Sequence, residues 1–485
     1  MNLTATTFSI AVLSTCCSLL QGQVPAIPSG EYHDKPFGES DIREFSDPSP
    51  VFYPETWFHY IGGNVSTEGI TADLEAIAGA GFSGVQLFHG QFGGIWPGCE
   101  DQITCLSPMW DSAVKHTALE CRRLGLRFTM QGCPGWAMAG GPWIKPENAM
   151  RHLVWSRTDL TPESGQAVLA VPQPSREEWR DYRDIMVLAF PTPEGDTGKP
   201  LVPEKIDSNV PCDWESILSG TAKEPLHLAP SSQDAPYWIK VSFPENVVIR
   251  SVEFPCVQGM NHGWCYDPGV HVRAEAVLDD GSHKEILDTW LPQSNWQDDR
   301  PLTLSCMEVQ GTRTYLIKIA NRHDMTFPSL LLSSAARKNN WESEAGWTLR
   351  GIERKGDGYI HSPETYIDEN GILDLTDRFD GKVLDWKAPS GKWTVLRIGH
   401  VNTGMKNGPA PEEGTGWECD KLSTAGSDAQ FDGYIGRLTA EGGPLADGLL
   451  NGLLFDSWEC KTQTWTEKHG YLNGPHLPNS CERAD

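Results

Sequence analysis

The sequence predicts a mixed fold: an α/β domain built on parallel strands, interrupted by a large all-β insertion. Three observations predict it. Strand-like and helix-like runs alternate at short, regular spacing between Thr56 and Met130, which is the signature of a parallel sheet. From about residue 160 this gives way to short alternating runs separated by turn residues, the texture of a β-sandwich. An apolar run of the buried, parallel type then returns at Gly452-Leu453-Leu454-Phe455. The right-handed crossover rule leaves a doubly wound sheet or a β/α barrel for the parallel part.

Each element has a local reason. Thr56-Trp57-Phe58-His59-Tyr60 reads as the first strand and ends at Gly62-Gly63-Asn64. Ile70, Leu74, Ile77 and Ala78 fall at i, i+4, i+7 and i+8 and predict a helix. Ser66 or Thr67 caps it, and Gly79 and Gly81 end it. Gly84-Val85-Gln86-Leu87-Phe88-His89 is the second strand. Ser107-Pro108 places an N-cap before a proline at the first helical position. That helix lines one face with Trp110, Val114, Thr117, Cys121 and Leu124 and closes at Gly125. Leu126-Arg127-Phe128-Thr129-Met130 is the third strand. Within the insertion, the runs 238–243, 247–254 and 315–319 read as strands, as do 373–375, 383–386 and 393–400 farther on.

The chain has 485 residues, enough for several domains. The spans predicted are a signal peptide at 1–22, the first part of a barrel at 23–160 and a sandwich insertion at 161–350. A second β-rich region follows at 351–440, then a fourth barrel strand and tail at 441–485. The signal peptide rests on an apolar run within Leu3 to Leu20, too short and too rich in Ser and Thr to span a bilayer, and it implies secretion. No other stretch approaches the length of a membrane helix. With 39 basic against 65 acidic residues and a net charge of −26, nucleic acid and anionic membrane are poor partners. Nineteen Trp residues suit flat ligands such as sugars and aromatics, or core packing.

Thirteen Cys are present. In a secreted chain they largely pair, and Cys99 with Cys105, and Cys256 with Cys265, close short loops. No Cys or His cluster has zinc spacing. Asn64-Val65-Ser66 is a glycosylation sequon. The Gly-rich loop 132–141 lacks both GxGxxG and GxxxxGK[ST], so it is no nucleotide cradle. Its glycines allow close backbone approach to a ligand on which Trp136 and Trp143 can stack, or else form an ordinary connection.

The residues with chemical promise lie at strand ends, where parallel folds place reacting groups. Asp456 and Glu459 follow the last apolar run. Glu459, beside Trp458, suits a general acid whose carboxyl an apolar setting raises, and Asp456 suits an orienting hydrogen bond or a metal contact. His89, Gln131 and Asn64 stand at the ends of the first three strands and suit substrate hydroxyls, with a satisfied buried imidazole as the alternative for His89. His59 and His400 read as structural. Glu418 and Asp420, in a Gly-rich stretch, offer oxygen ligands of the kind calcium takes, or form a solvated acidic loop that Lys421 neutralises.

Five segments, in order, resemble glycoside hydrolase family 106, the α-L-rhamnosidases. They are Gly63-Asn64-Val65 with Glu68-Gly69-Ile70-Thr71-Ala72-Asp73-Leu74; Gly132-Cys133-Pro134-Gly135-Trp136 with Gly140-Gly141-Pro142-Trp143; the run from Asp385 to Thr394; Pro409-Ala410-Pro411 with the run from Gly414 to Lys421; and Asp456-Ser457-Trp458-Glu459. The resemblance implies a divided (β/α)8 barrel with a sandwich insertion. It implies hydrolysis of terminal α-L-rhamnosides in rhamnose-containing glycans, with inversion, and calcium near the sugar hydroxyls. Hydrolysis with inversion uses two carboxylates about 6.5–9.5 Å apart, and Glu459 is the acid of such a pair. The residues after Glu459 are too few for four more βα repeats at about 30 residues each. The expectation is therefore a partial (β/α)8 barrel of strands 1–4, an N-terminal portion whose base lies elsewhere and whose activity alone is in doubt. The alternative is a noncatalytic carbohydrate-binding protein using the β-sandwich and Trp-rich surfaces.

Overall fold

The computed structural model describes residues 36–90, 102–172, 181–256, 265–295, 297–351 and 358–466. The predicted signal peptide, Cys99 and the tail after Thr466 lie outside them. The chain divides into two compact units. Unit one holds the described residues up to Met150, with Gly404–Cys460 and Thr466; unit two holds Arg151–Thr403 and Lys461–Trp465.

Unit one begins as its periodicity dictates. Strand β1 (Glu55–His59), helix α1 (Thr67–Gly79), strand β2 (Gly84–Phe88), helix α2 (Pro108–Leu124) and strand β3 (Arg127–Gln131) follow in order. Both helices start where a side chain satisfies an orphan N–H: Ser66 Oγ accepts from Gly69 N at 3.0 Å and Ser107 Oγ from Trp110 N at 3.2 Å, the N-cap interaction. Gly125 ends α2 in the left-handed region (φ 72°), which favours glycine. Strand alternation sends Phe58, Val85, Leu87, Phe128 and Met130 into a core with Ile70, Leu74, Trp110, Val114 and Cys121 of the helices.

Unit two is all-β apart from short helical turns. The strands of its three main sheets are β4 (Arg151–Leu160), β5 (Arg183–Pro191), β6 (Lys205–Ser208), β7 (Tyr237–Ser242), β8 (Ser251–Phe254), β9 (Val270–Val277), β10 (His283–Trp290), β11 (Leu302–Ser305), β12 (Thr314–Asn321), β13 (Leu331–Ser333), β14 (Leu373–Asp374) and β15 (Trp393–Asn402). A five-stranded sheet, β10-β9-β12-β7-β6, and a three-stranded sheet, β11-β8-β13, sandwich one apolar core. A further sheet runs β14-β5-β15-β4. In it β15 pairs antiparallel with β4 along its whole length, from Trp393 opposite Leu160 to Asn402 opposite Arg151. The run at 393–400 therefore forms one sheet with 151–160 and 183–191 rather than a separate β region. A fully buried ion network pins the 298–350 segment. Arg350 Nε donates to Asp298 Oδ2 at 2.8 Å and its Nη1 to Asn340 Oδ1 at 2.9 Å, while Glu342 accepts from the Thr303 hydroxyl at 2.6 Å. Buried charges persist only when paired and hydrogen-bonded in this way.

The chain returns to unit one with helix α3 (Thr424–Phe431) and strand β16 (Gly452–Leu454). β16 pairs parallel with β3, Gly452 opposite Thr129 and Leu454 opposite Gln131, giving the order β1-β2-β3-β16. The four predicted parallel strands are thus neighbours in the predicted order, in a sheet that is open among the described residues. Among the described residues β16 is the edge of this sheet, as a partial barrel of strands 1–4 requires. It pairs with β3 alone among the described residues, and Leu453 and Phe455 are 37% and 55% exposed.

The predicted cysteine pairing is not seen among the described residues. Cys105, Cys121, Cys133, Cys306, Cys419 and Cys460 are buried free thiols. Burial pushes the Cys105 thiol up to about 12. Cys256 donates to the Asp298 carbonyl at 3.2 Å, and the Cys265 side chain is not described. No described helix is long and apolar enough to cross a membrane.

Candidate active site

The face of the parallel sheet opposite the helices carries the odd-numbered positions of β1 and β3 and the even-numbered positions of β2. At its C-terminal end these are aromatic. Trp57, His59 and Phe88 gather around Trp136, which stacks on the His59 ring at 5.4 Å and 13° and meets Trp57 edge-on at 5.6 Å. Trp57 keeps about half its surface exposed, and the buried His59 Nδ1 has no hydrogen-bond partner among the described residues. His59, read as structural from the sequence, therefore sits in the aromatic cluster, whereas His89 lies one residue past the strand and points to the other face. It is buried, and its Nδ1 accepts from the Trp110 indole N–H at 2.9 Å. Gln131 is 1% exposed and donates to the Ala137 carbonyl at 2.7 Å, while its Oε1 lacks a partner among the described residues. Asn64 is exposed at the start of α1.

The Gly-rich loop after β3 is a packed structure. Gln430 of α3 accepts from Gly140 N at 2.9 Å and from the Trp143 indole at 3.0 Å, and donates to the Gly132 carbonyl at 2.8 Å. Asn407 donates to the carbonyls of Pro134 and Gly414 at 3.2 and 2.9 Å and accepts from Gly416 N at 2.7 Å. The close approach that glycine permits is to other backbone: a Cβ on Gly135 (φ +103°) would lie 2.4 Å from the Pro409 carbonyl oxygen. Trp143 stacks on Tyr434 at 5.5 Å and is held there. Neither Gln430 nor Asn407 stood out in the sequence, because a lone amide carries no local signal of its partners.

Lys421 joins the two acidic motifs. Its Nζ lies 2.5 Å from Glu418 Oε2, 4.7 Å from the centre of the Trp458 ring and 3.5 Å from Cys460 Sγ. The segments 418–421 and 458–460, distant in sequence, meet on this one ammonium. Glu418 is 1% exposed; burial drives its carboxyl above the ordinary range while Lys421 pulls it back. Burial disfavours the Lys421 ammonium, but Glu418 outweighs that and holds it charged. Asp420, also buried, accepts from the Thr466 hydroxyl at 2.7 Å and from Leu422 N at 3.1 Å.

These carboxylates do not fit calcium. The ion takes six to eight oxygens, whereas Lys421 occupies one oxygen of Glu418 and protein donors engage both oxygens of Asp420. Among the described residues no group of three or more His, Cys, Asp or Glu is arranged to hold a metal ion.

Glu459 and Asp456 lie beyond β16 rather than at its tip, because pairing with β3 stops at Gln131, where β3 gives way to the Gly132 loop. Asp456 Oδ1 accepts from Ser457 N at 2.7 Å. Glu459 is half-buried, and its carboxylate has neither hydrogen bond nor ion pair among the described residues. It stands between Trp458, placed by Lys421, and the buried Cys460.

A solved rhamnosidase from Novosphingobium sp. PP1Y is 25% identical with a TM-score of 0.67, covering 87% of this chain and 40% of that one. A curated Formosa agariphila protein named "Putative beta-glucuronidase" is 28% identical over 439 residues, covering 89% of this chain and 25% of its own length. The chain thus spans well under half the length of either relative. Residues 46–478 match the glycoside hydrolase 106 family, described as alpha-L-rhamnosidase, and the chain belongs to that family of glycoside hydrolases.

Proposed function

We propose that this chain carries the acid-bearing part of a secreted α-L-rhamnosidase that hydrolyses terminal α-L-rhamnosides with inversion. The observation that carries it is Glu459: a half-buried carboxylate without a partner among the described residues, next to Trp458, which the Glu418–Lys421 pair holds in place. In this reading Glu459 protonates the departing oxygen. Asp456 orients a sugar hydroxyl, and the Trp57, His59 and Trp136 cluster offers the flat apolar surface on which a sugar ring stacks. The base stands about 6.5–9.5 Å from the acid with a water between, on strands additional to the four parallel ones, in a (β/α)8 barrel. Secretion rests on the apolar run within Leu3 to Leu20. Calcium rests on the family resemblance, with oxygen donors other than Glu418 and Asp420.

An aryl α-L-rhamnoside tests the proposal on this chain and, in parallel, on a longer form matching the relatives. The name of the Formosa relative makes an aryl β-glucuronide the necessary second substrate. Rhamnoside release is expected from the longer form, with the β anomer formed first by NMR. Release should fall after chelation and recover with calcium. Glu459→Gln should abolish turnover and leave sugar affinity intact. Release from the glucuronide alone, or a retained anomer, refutes the assignment.

A further inference from the structure

Unit two contains a cavity of about 750 Å³ between two sheets whose alternation can be followed residue by residue. In β8, Val252 and Phe254 face the sandwich core, so Ser251 and Glu253 face outward. They stand opposite Ser305 and Thr303 of β11 and Ser333 and Leu331 of β13. In the sheet of β4, β5 and β15, Val187, Ala189 and Val395 face a separate core. The opposite face presents Trp155 and Arg157 of β4 across from Ile398 and Leu396 of β15. The two faces meet around the cavity, which Trp341 also lines.

The lining is prearranged. Trp155, 40% exposed, meets Trp341 at 5.9 Å and Trp347 edge-on at 5.3 Å, and the Trp341 indole is fixed on the Thr303 hydroxyl at 3.0 Å. Asp196 binds Arg157 at 2.6 Å and Arg337 at 3.1 Å, and Asp159 binds Arg157 at 2.8 Å, so two carboxylates fix and match the two guanidinium groups. The Glu253 carboxylate takes no hydrogen bond or ion pair among the described residues. The volume falls within the roughly 300–1,000 Å³ of small-molecule sites. Flat indole surface, fixed donors and one open carboxylate acceptor are what a hydroxyl-rich ring requires. No net charge calls for an ionic ligand: Arg157, Arg337 and Lys338 pair with Asp159, Asp196 and Glu344, and the remaining Lys199 and Glu253 are one of each sign.

We infer that this cavity is a binding site for a short neutral saccharide, with Trp155 as the stacking surface and Glu253 as the hydroxyl acceptor. The site lies wholly within unit two, and its occupancy does not depend on turnover. The test is calorimetric titration of the full chain with cellotriose, xylotriose and rhamnobiose, and with trigalacturonate as the acidic arm. It is made in the Glu459→Gln background, so hydrolysis plays no part and its outcome is independent of the release assay. Saturable binding of at least one neutral probe is expected. Trp155→Ala and Glu253→Gln should each weaken it about tenfold or more, with thermal unfolding unchanged in Glu253→Gln, because Glu253 is without a partner among the described residues. Trp155→Phe should retain most of the affinity. Binding of trigalacturonate alone, no binding of any neutral probe, or neutral binding untouched by both substitutions overturns the inference.

Discussion

Replacing Lys421 by Met isolates the contact that joins the two acidic motifs. Met keeps the apolar stem and removes the ammonium. Glu418 is 1% exposed and Lys421 9% by side chain, so solvent screens neither. Deleting one partner of a buried pair leaves an uncompensated charge and costs about 3–5 kcal/mol. The lost contact with Trp458 adds about 0.5–1 kcal/mol. Against a total of about 5–15 kcal/mol, unit one becomes marginal. The pH dependence has a definite sign. Burial already holds the Glu418 carboxyl above its unfolded value, and losing the ammonium raises it further. The folded state then binds the proton more tightly than the unfolded one, so stability falls as pH rises through the folded value. The loss should be small near pH 4 and grow as pH rises. The assay is urea denaturation followed by Trp fluorescence at pH 4 and pH 7, with Glu418→Met and the double variant completing a thermodynamic cycle. Two apolar side chains in place of the pair should restore most of the loss, with a coupling of about 2 kcal/mol or more. A single-variant loss below about 1 kcal/mol at pH 7, or a double variant no better than Lys421→Met, would refute the reasoning.

Three further outcomes are expected. Ser107→Ala removes the acceptor for Trp110 N and should lower stability by about 1 kcal/mol in thermal denaturation. Gly416→Ala places a Cβ 2.0 Å from the Gly141 carbonyl oxygen and should cost about 3 kcal/mol or more; Gly79→Ala, with nothing within 4 Å, should be neutral or stabilising by about 0.5 kcal/mol. Burial lowers His152 to about 4 and, together with Arg151, His400 to about 3. With both folded values below the unfolded value of about 6.5, stability present above pH 6.5 is lost as pH falls. Each histidine contributes a slope of up to about 1.4 kcal/mol per pH unit. Urea midpoints between pH 7 and 4.5 should fall less steeply in His152→Gln and His400→Gln than in the parent.

What the sequence determined by itself is short-ranged. The 3.6 and 2.0 periodicities, the Ser66 and Ser107 caps and the left-handed Gly125 each depend on neighbours a few residues away, so β1 to β3 and both helices were legible to within a residue or two. The five family segments were legible for the same reason, as contiguous strings. What only tertiary structure decided is long-ranged. Nothing local tells β15 to pair with β4, about 240 residues earlier, or tells Lys421 to sit between Glu418 and Trp458. His59 and His89 differ only in the strand face they occupy: a step of one residue sends one imidazole to the Trp136 cluster and the other to Trp110. The register of β16 on β3, Gly452 opposite Thr129, was not legible, because an apolar run fixes what a strand is able to bury, whereas its partner about 320 residues earlier is set by the rest of the fold.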